Sequence, residues 1–76
     1  MGKLTKRAKL YLSCCPDWSA DWEIASRIGD TPPPDPVVVR AMMGRLIGRG
    51  LAEWSRPDNT YRASAKGRAA LKEAEG

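Results

Sequence analysis

The sequence predicts a mainly α-helical domain with one small β-hairpin, in the order helix, helix, helix, hairpin, helix. Three observations carry that expectation. Apolar residues recur at helical spacing in three separate segments, so each segment can turn one stripe toward a shared core. Proline and glycine punctuate the ends of those segments. A run of turn-forming residues, Ser55-Arg-Pro-Asp-Asn-Thr60, separates two short strand candidates, the pattern of a hairpin with an open loop.

In the first helix Leu4, Ala8, Tyr11, Leu12 and Cys15 share one stripe, and Lys3, Lys6, Arg7 and Lys9 wrap the other faces. Thr5 or an earlier residue starts it and Pro16 stops it. Ser19 is the candidate N-cap of a second helix, whose first turn carries Asp21 and Glu23 to complement the helix dipole. Ile24, Ala25 and Ile28 form its inner face, and Gly29 ends it. The connection Asp30-Thr-Pro-Pro-Pro-Asp35 is extended, because consecutive prolines fix φ and remove donors.

Asp35-Pro36 is a start signal, an acidic N-cap followed by proline in the first turn. The third helix then runs over 36–49, with Val39, Met42, Met43, Leu46 and Ile47 as its apolar stripe and Gly50 at its end. Gly44 and Gly48 each cost roughly 1 kcal/mol of helix propensity relative to alanine, so packing must hold this helix. Strands are expected over 51–54 and 61–63. Ser64 caps a last helix from Ala65 to about Glu75, with Leu71 and several alanines turned inward.

The chain of 76 residues reads as one domain over 1–76, burying ~60–65% of its unfolded surface, with little chain to spare for an enclosed active site. Its 42% hydrophobic and 29% charged residues are those of an ordinary globular domain. Thirteen Lys and Arg against nine Asp and Glu leave a net charge of +4, a moderate excess that favours a polyanionic partner.

Cys14 and Cys15 are adjacent and no histidine is present, so neither a disulfide framework nor a metal site is expected, and no cofactor. Cys15 is expected in the core of a reduced, cytoplasmic chain. No membrane span is expected: the apolar run 10–15 is short and ends at Pro16, and the stretch 36–51 is interrupted by Arg40, Arg45 and Arg49. With no histidine, no glycine-rich phosphate loop and no pair of carboxylates in an apolar setting, the chain is not expected to be an enzyme.

The segment Val39-Arg-Ala-Met-Met-Gly-Arg-Leu46-Ile-Gly-Arg-Gly50-Leu51 resembles the recognition helix and exit turn of the winged helix-turn-helix superfamily, which includes the MarR-like regulators. Tyr61-Arg-Ala-Ser64-Ala-Lys-Gly67-Arg68-Ala-Ala-Leu71 resembles the second wing strand and following helix of the same proteins. Glu23-Ile24-Ala25 through Ile28-Gly29 fits the first helix of the pair. The resemblance spans about residues 4 to 74. One departure is the connection between the paired helices, normally a few residues, which here holds six or seven with three successive prolines.

The resemblance implies a DNA-binding protein, a small transcriptional regulator whose helix over 36–49 lies in the major groove of duplex DNA and whose wing over 52–63 lies on the backbone. The groove-facing candidates are Val37, Val38, Arg40, Ala41 and Arg45, with Gly44 between them; Arg40 and Arg45 can donate to base edges. Arg56, Asn59, Thr60 and Arg62 are the candidates on the wing.

The alternative keeps the fold but makes it a protein-protein interaction module docking on a larger enzyme or complex through Val37, Val38 and Trp54. Trp54 is the tryptophan expected to be exposed, whereas Trp18 and Trp22 are expected to roof the core. A homodimer, if formed, would use the first or last helix.

Overall fold

The structure, a computed structural model, describes residues 4–75. It contains α1 (Lys6–Ser13), β1 (Ser19–Ala20), α2 (Asp21–Ile28), α3 (Pro36–Gly48), β2 (Ala52–Ser55), β3 (Thr60–Ala63) and α4 (Ala65–Glu75). The three strands form one antiparallel sheet in the order β1-β3-β2. The fold is therefore a mix of four helices and a three-stranded sheet, with one strand more than the expected hairpin.

Local chemistry explains most element boundaries. Thr5 caps α1, its hydroxyl accepting from the Ala8 amide at 3.0 Å. Gly29 stops α2 at φ 81°, a left-handed conformation that costs glycine little. Asp35 caps α3 through the Val37 amide at 2.8 Å, with Pro36 opening the helix as expected. At the far end of α3 the Leu51 amide donates to Leu46 O and the Gly50 amide to Ile47 O, both at 2.9 Å. Gly50, at φ 76°, is the left-handed residue that this paired closure requires.

Ser19 corrects the expectation. It lies in β1 opposite Tyr61, buried, with its hydroxyl donating to Asp17 O (2.9 Å) and accepting from Arg27 Nη1 (2.6 Å). Ala20 is the N-cap of α2 instead, and its amide donates to Glu23 Oε1 at 3.0 Å. Glu23 thus satisfies the N-cap's own amide, whereas the first-turn amide of Trp22 donates to Asp21 Oδ1 at 2.7 Å, the kind of contact expected of the serine.

The core is one cluster drawn from α1, α2, α3 and the sheet, with Ala70 and Leu71 of α4 packed against it half-buried. Tyr11, Leu12, Cys15, Ile24, Val39, Met43 and Leu46 are essentially removed from solvent, and Leu51, Tyr61 and Ala63 join them from the chain around the sheet. Burying side chains such as Val39, Met43 and Leu46 contributes about 1.5–3 kcal/mol each, enough to offset the two glycines of α3. Met42 and Ile47 border the core half-buried.

α4 packs on α1 and β3. Ser64 joins it to the exit of α3, its hydroxyl accepting from Gly67 N (3.0 Å) and donating to Gly50 O (2.7 Å). A Cβ at Gly67 would collide with the Leu51 carbonyl, so glycine here permits the close approach of α4 to that turn. The Ala63 amide donates to Cys15 O at 2.9 Å and ties the sheet to the end of α1.

Candidate nucleic-acid interface

Once α3 turns Val39, Met43 and Leu46 inward, its periodicity directs Val37, Ala41, Gly44 and Gly48 outward along one ridge. All four are exposed, Val37 at 61% and neighbouring Val38 at 50%. Arg40 and Arg45, also exposed, flank the ridge on opposite sides. No acidic residue occurs from Pro36 to Ala52. A Cβ added at Gly44 or Gly48 would meet open space, so nothing among the described residues requires glycine at either position. The five sequence candidates on α3 thus lie together on one solvent face.

The two arginines differ in their surroundings. Arg40 Nε lies 3.9 Å from Asp21 Oδ2, at the start of α2. Tyr61 on β3 completes this group: burial first, and then the negative charge of Asp21, push its hydroxyl pKa up, while Arg40 pulls it down. Arg45 has no ion-pair or hydrogen-bond partner among the described residues.

The hairpin candidates divide. Arg56 and Asn59 lie exposed in the turn between β2 and β3. Asn59 adopts φ 53°, a conformation asparagine tolerates better than most residues, and its Oδ1 accepts from Trp54 Nε1 at 3.2 Å. That bond holds Trp54, 48% exposed as expected, against the turn.

Thr60 and Arg62 are used within the sheet. Thr60 Oγ1 is buried with no hydrogen-bond partner among the described residues. Arg62 donates to Glu53 Oε1 across the β2–β3 ladder (Nε 3.1 Å, Nη2 3.0 Å), and its guanidinium lies over the Trp18 ring at 4.3 Å. Neither Thr60 nor Arg62 is presented in the way Arg45 and Arg56 are.

Two aromatic expectations are corrected. Trp22 is 65% exposed, because Ile24, Ala25 and Ile28 take the inner face of α2 and leave it on the opposite side. Trp18 is 40% exposed and covers Arg62 rather than roofing the core.

Arg27 was not among the sequence candidates, yet it organises the entry to α2. It donates to Cys14 O (3.0 Å) and Ser19 Oγ (2.6 Å) and pairs with Glu23 at 3.6 Å. Only its i,i+4 spacing from Glu23 is visible in the sequence.

Other basic groups have local partners. Arg7 pairs with Asp30 at 3.1 Å and ties α1 to the proline-rich connection. Lys66 donates to Arg49 O (3.3 Å) and Arg68 to Ala63 O (2.9 Å), which accounts for cations in the first turn of α4. Lys3 lies outside the described residues. Both cysteines are free and buried; desolvation foremost, then the adjacent thiol, pushes Cys15 up to about 11, and burial also raises Cys14.

Among the described residues no three His, Cys, Asp or Glu side chains are grouped to hold a metal, and no helix is long and apolar enough to cross a membrane. The donors at this face are therefore guanidinium groups on either side of a small-residue ridge, an arrangement suited to oxygen acceptors on an anionic surface. Comparison with family models, curated proteins and solved structures finds no match to this chain.

Proposed function

We propose that this protein is a winged helix-turn-helix regulator that binds duplex DNA with α3 in the major groove and the β2–β3 hairpin on the adjacent backbone. The outer face of α3 carries this reading. It is free of acidic residues, low along its Val37-Ala41-Gly44-Gly48 ridge and flanked by arginines. A helix entering a groove needs such a profile: small residues let its backbone approach the base edges, while guanidinium groups reach guanine O6 and N7 or a phosphate. The glycines at 44 and 48 oppose helix formation without serving internal packing. Close approach by a second molecule supplies a reason for them.

The element order supports the same reading. α2 and α3 form the helix pair, and the hairpin follows α3 directly. β1 pairs the entry of α2 to β3, which braces the hairpin against the helices. Arg45 and Arg56, without partners among the described residues, are the principal DNA contacts in this proposal; Val37, Val38 and Ala41 lie against the groove, and Asn59 holds the turn that presents Arg56.

Titration of the chain against a duplex selected from random sequence, across a range of salt concentrations, tests the proposal. Selective binding tighter than the non-specific micromolar range is expected, weakening with salt. Arg45→Ala should reduce the preference for the selected sequence, and Arg56→Ala should weaken binding to every duplex and lower the salt slope by about one. Absence of sequence preference in any selected pool, with both variants unchanged, would refute it.

A second reading has one observation in its favour. Val37, Val38, Trp22 and Trp54 expose apolar area that a protein partner would cover. A docking module of this kind would lose binding to its partner on Val38→Ser or Trp54→Ala while Arg45→Ala had no effect.

A further inference from the structure

We propose that Asp21 is a specificity-determining residue acting through Arg40: it serves as that arginine's internal counter-ion and so suppresses sequence-independent attachment to DNA. The inference rests on the DNA-binding reading of α3 and adds to it a division of labour between the two arginines of that helix.

Helical periodicity sets Arg40 and Arg45 about 140° apart around α3, one on each side of the ridge. Arg45 is exposed without a partner among the described residues, whereas Arg40 faces the start of α2 and Tyr61 of the sheet. On the proposed docking a sugar-phosphate strand passes on Arg40's side of the ridge and the base edges lie on Arg45's. Arg40 is thus placed to meet a phosphate, and Arg45 to meet a base edge.

Asp21 changes the terms of that meeting. Its side chain is 20% exposed, so its field on Arg40 is less screened than that of a solvated carboxylate. Its Oδ1 is occupied by the Trp22 amide at 2.7 Å, which fixes the carboxylate, while Oδ2 points toward Arg40. At 3.9 Å the two attract through space without a hydrogen bond, and the pair can separate without breaking one.

The other carboxylates close in sequence are engaged elsewhere. Glu23 accepts from Ala20 N and pairs with Arg27, and Asp35 caps α3. A phosphate arriving at Arg40 therefore competes with Asp21 for that guanidinium. Docking on the ridge brings the phosphate to Arg40 with its Nε still beside Asp21, whereas a loosely bound duplex must draw the arginine away from Asp21 to reach it, so the cost falls on the loose mode. A cost that only the loose mode meets lowers affinity for the wrong partner more than for the right one.

The test compares the unaltered chain with Asp21→Asn, Arg40→Ala and the double variant, on an unrelated duplex and on one selected from random sequence, at 50–200 mM salt. Asp21→Asn should bind the unrelated duplex about 3–10-fold more tightly at the lowest salt, with a slope steeper by roughly 0.9, as expected when one more cation meets phosphate. Its ratio of selected to unrelated affinity should fall. The double variant should match Arg40→Ala, because Asp21 acts through that arginine.

Equal or weaker binding of Asp21→Asn to the unrelated duplex overturns the inference, as does an unchanged Asp21 effect when Arg40 is absent. Either result leaves selective binding by the unaltered chain, and hence the DNA-binding reading, standing. Failure of the unaltered chain to bind any duplex overturns both.

Discussion

Thr60 and Arg62 show how a residue type suited to a polyanion can be committed inside the fold. Both are polar residues on a hairpin strand, and from their spacing alone either suits a phosphate. β3 is the central strand, however, so its outward positions meet neighbours on both sides: Thr60 stands opposite Ala20 and Ser55, and Arg62 opposite Glu53. Replacing Thr60 with valine keeps the β-branched shape and removes a buried hydroxyl that has no partner. Thr60→Val should leave DNA binding unchanged and raise unfolding stability by up to about 1 kcal/mol, measured by denaturant titration. Gly67 illustrates the converse. The reason for glycine there, the approach of the Leu51 carbonyl, lies 16 residues upstream (67 minus 51). Trp22 was misplaced because an aromatic residue at helical spacing reads as core until the burial of Ile24, Ala25 and Ile28 shows which stripe turns inward.

The helices were readable because their ends are chemical. Thr5, Asp35 and Ser64 accept hydrogen bonds from amides that the helix itself cannot satisfy, and Gly29 and Gly50 take the left-handed conformations that end α2 and α3. β1 was not readable. Two residues are too few for an alternating pattern to emerge, and Ser19 followed by two acids looks like the entrance to a helix. α3 sets helix stability against its outer profile. Gly44→Ala and Gly48→Ala should each stabilise the protein by about 1 kcal/mol, because the added methyl meets open space and removes a helix-propensity penalty. On the proposed function the same methyl groups stand between α3 and the groove floor, so each variant should also bind the selected duplex more weakly. Thermal or denaturant melts and a duplex titration on the same samples measure the two effects separately.

Across the whole domain, the groups with raised pKa values share one sign. Cys15 is lifted from its ordinary 9.0 to about 11 by burial and by the adjacent thiol, and burial also raises Cys14 and Tyr61. The unfolded chain releases these protons at lower pH than the folded one, so alkali favours unfolding. The contribution of Cys15 is complete below about pH 9 and is lost as pH rises toward 11, and Cys14 and Tyr61 act in the same direction. Unfolding midpoints measured from pH 7 to pH 11 should fall through that upper interval, and a Cys15→Ala variant should fall less steeply. The same burial keeps both thiols protonated and covered near neutral pH, so alkylation should report unfolding rather than native reactivity.

Cap residues, apolar stripes, the proline-stiffened connection and the hairpin turn follow from interactions within a few positions along the chain, and they yielded four helices and two of the three strands from sequence. Contacts between distant segments required the folded arrangement. Ser19 is drawn into a strand by Tyr61, 42 positions away (61 minus 19), and Asp21 reaches Arg40 across the proline-rich connection. Local signals select an element because its hydrogen bonds close within a turn or two. Partners for a surface charge are chosen only when separate elements pack, and for this reason arginines that look alike in the sequence divide into the engaged Arg62, the tethered Arg40 and Arg45 and Arg56, which have no partner among the described residues.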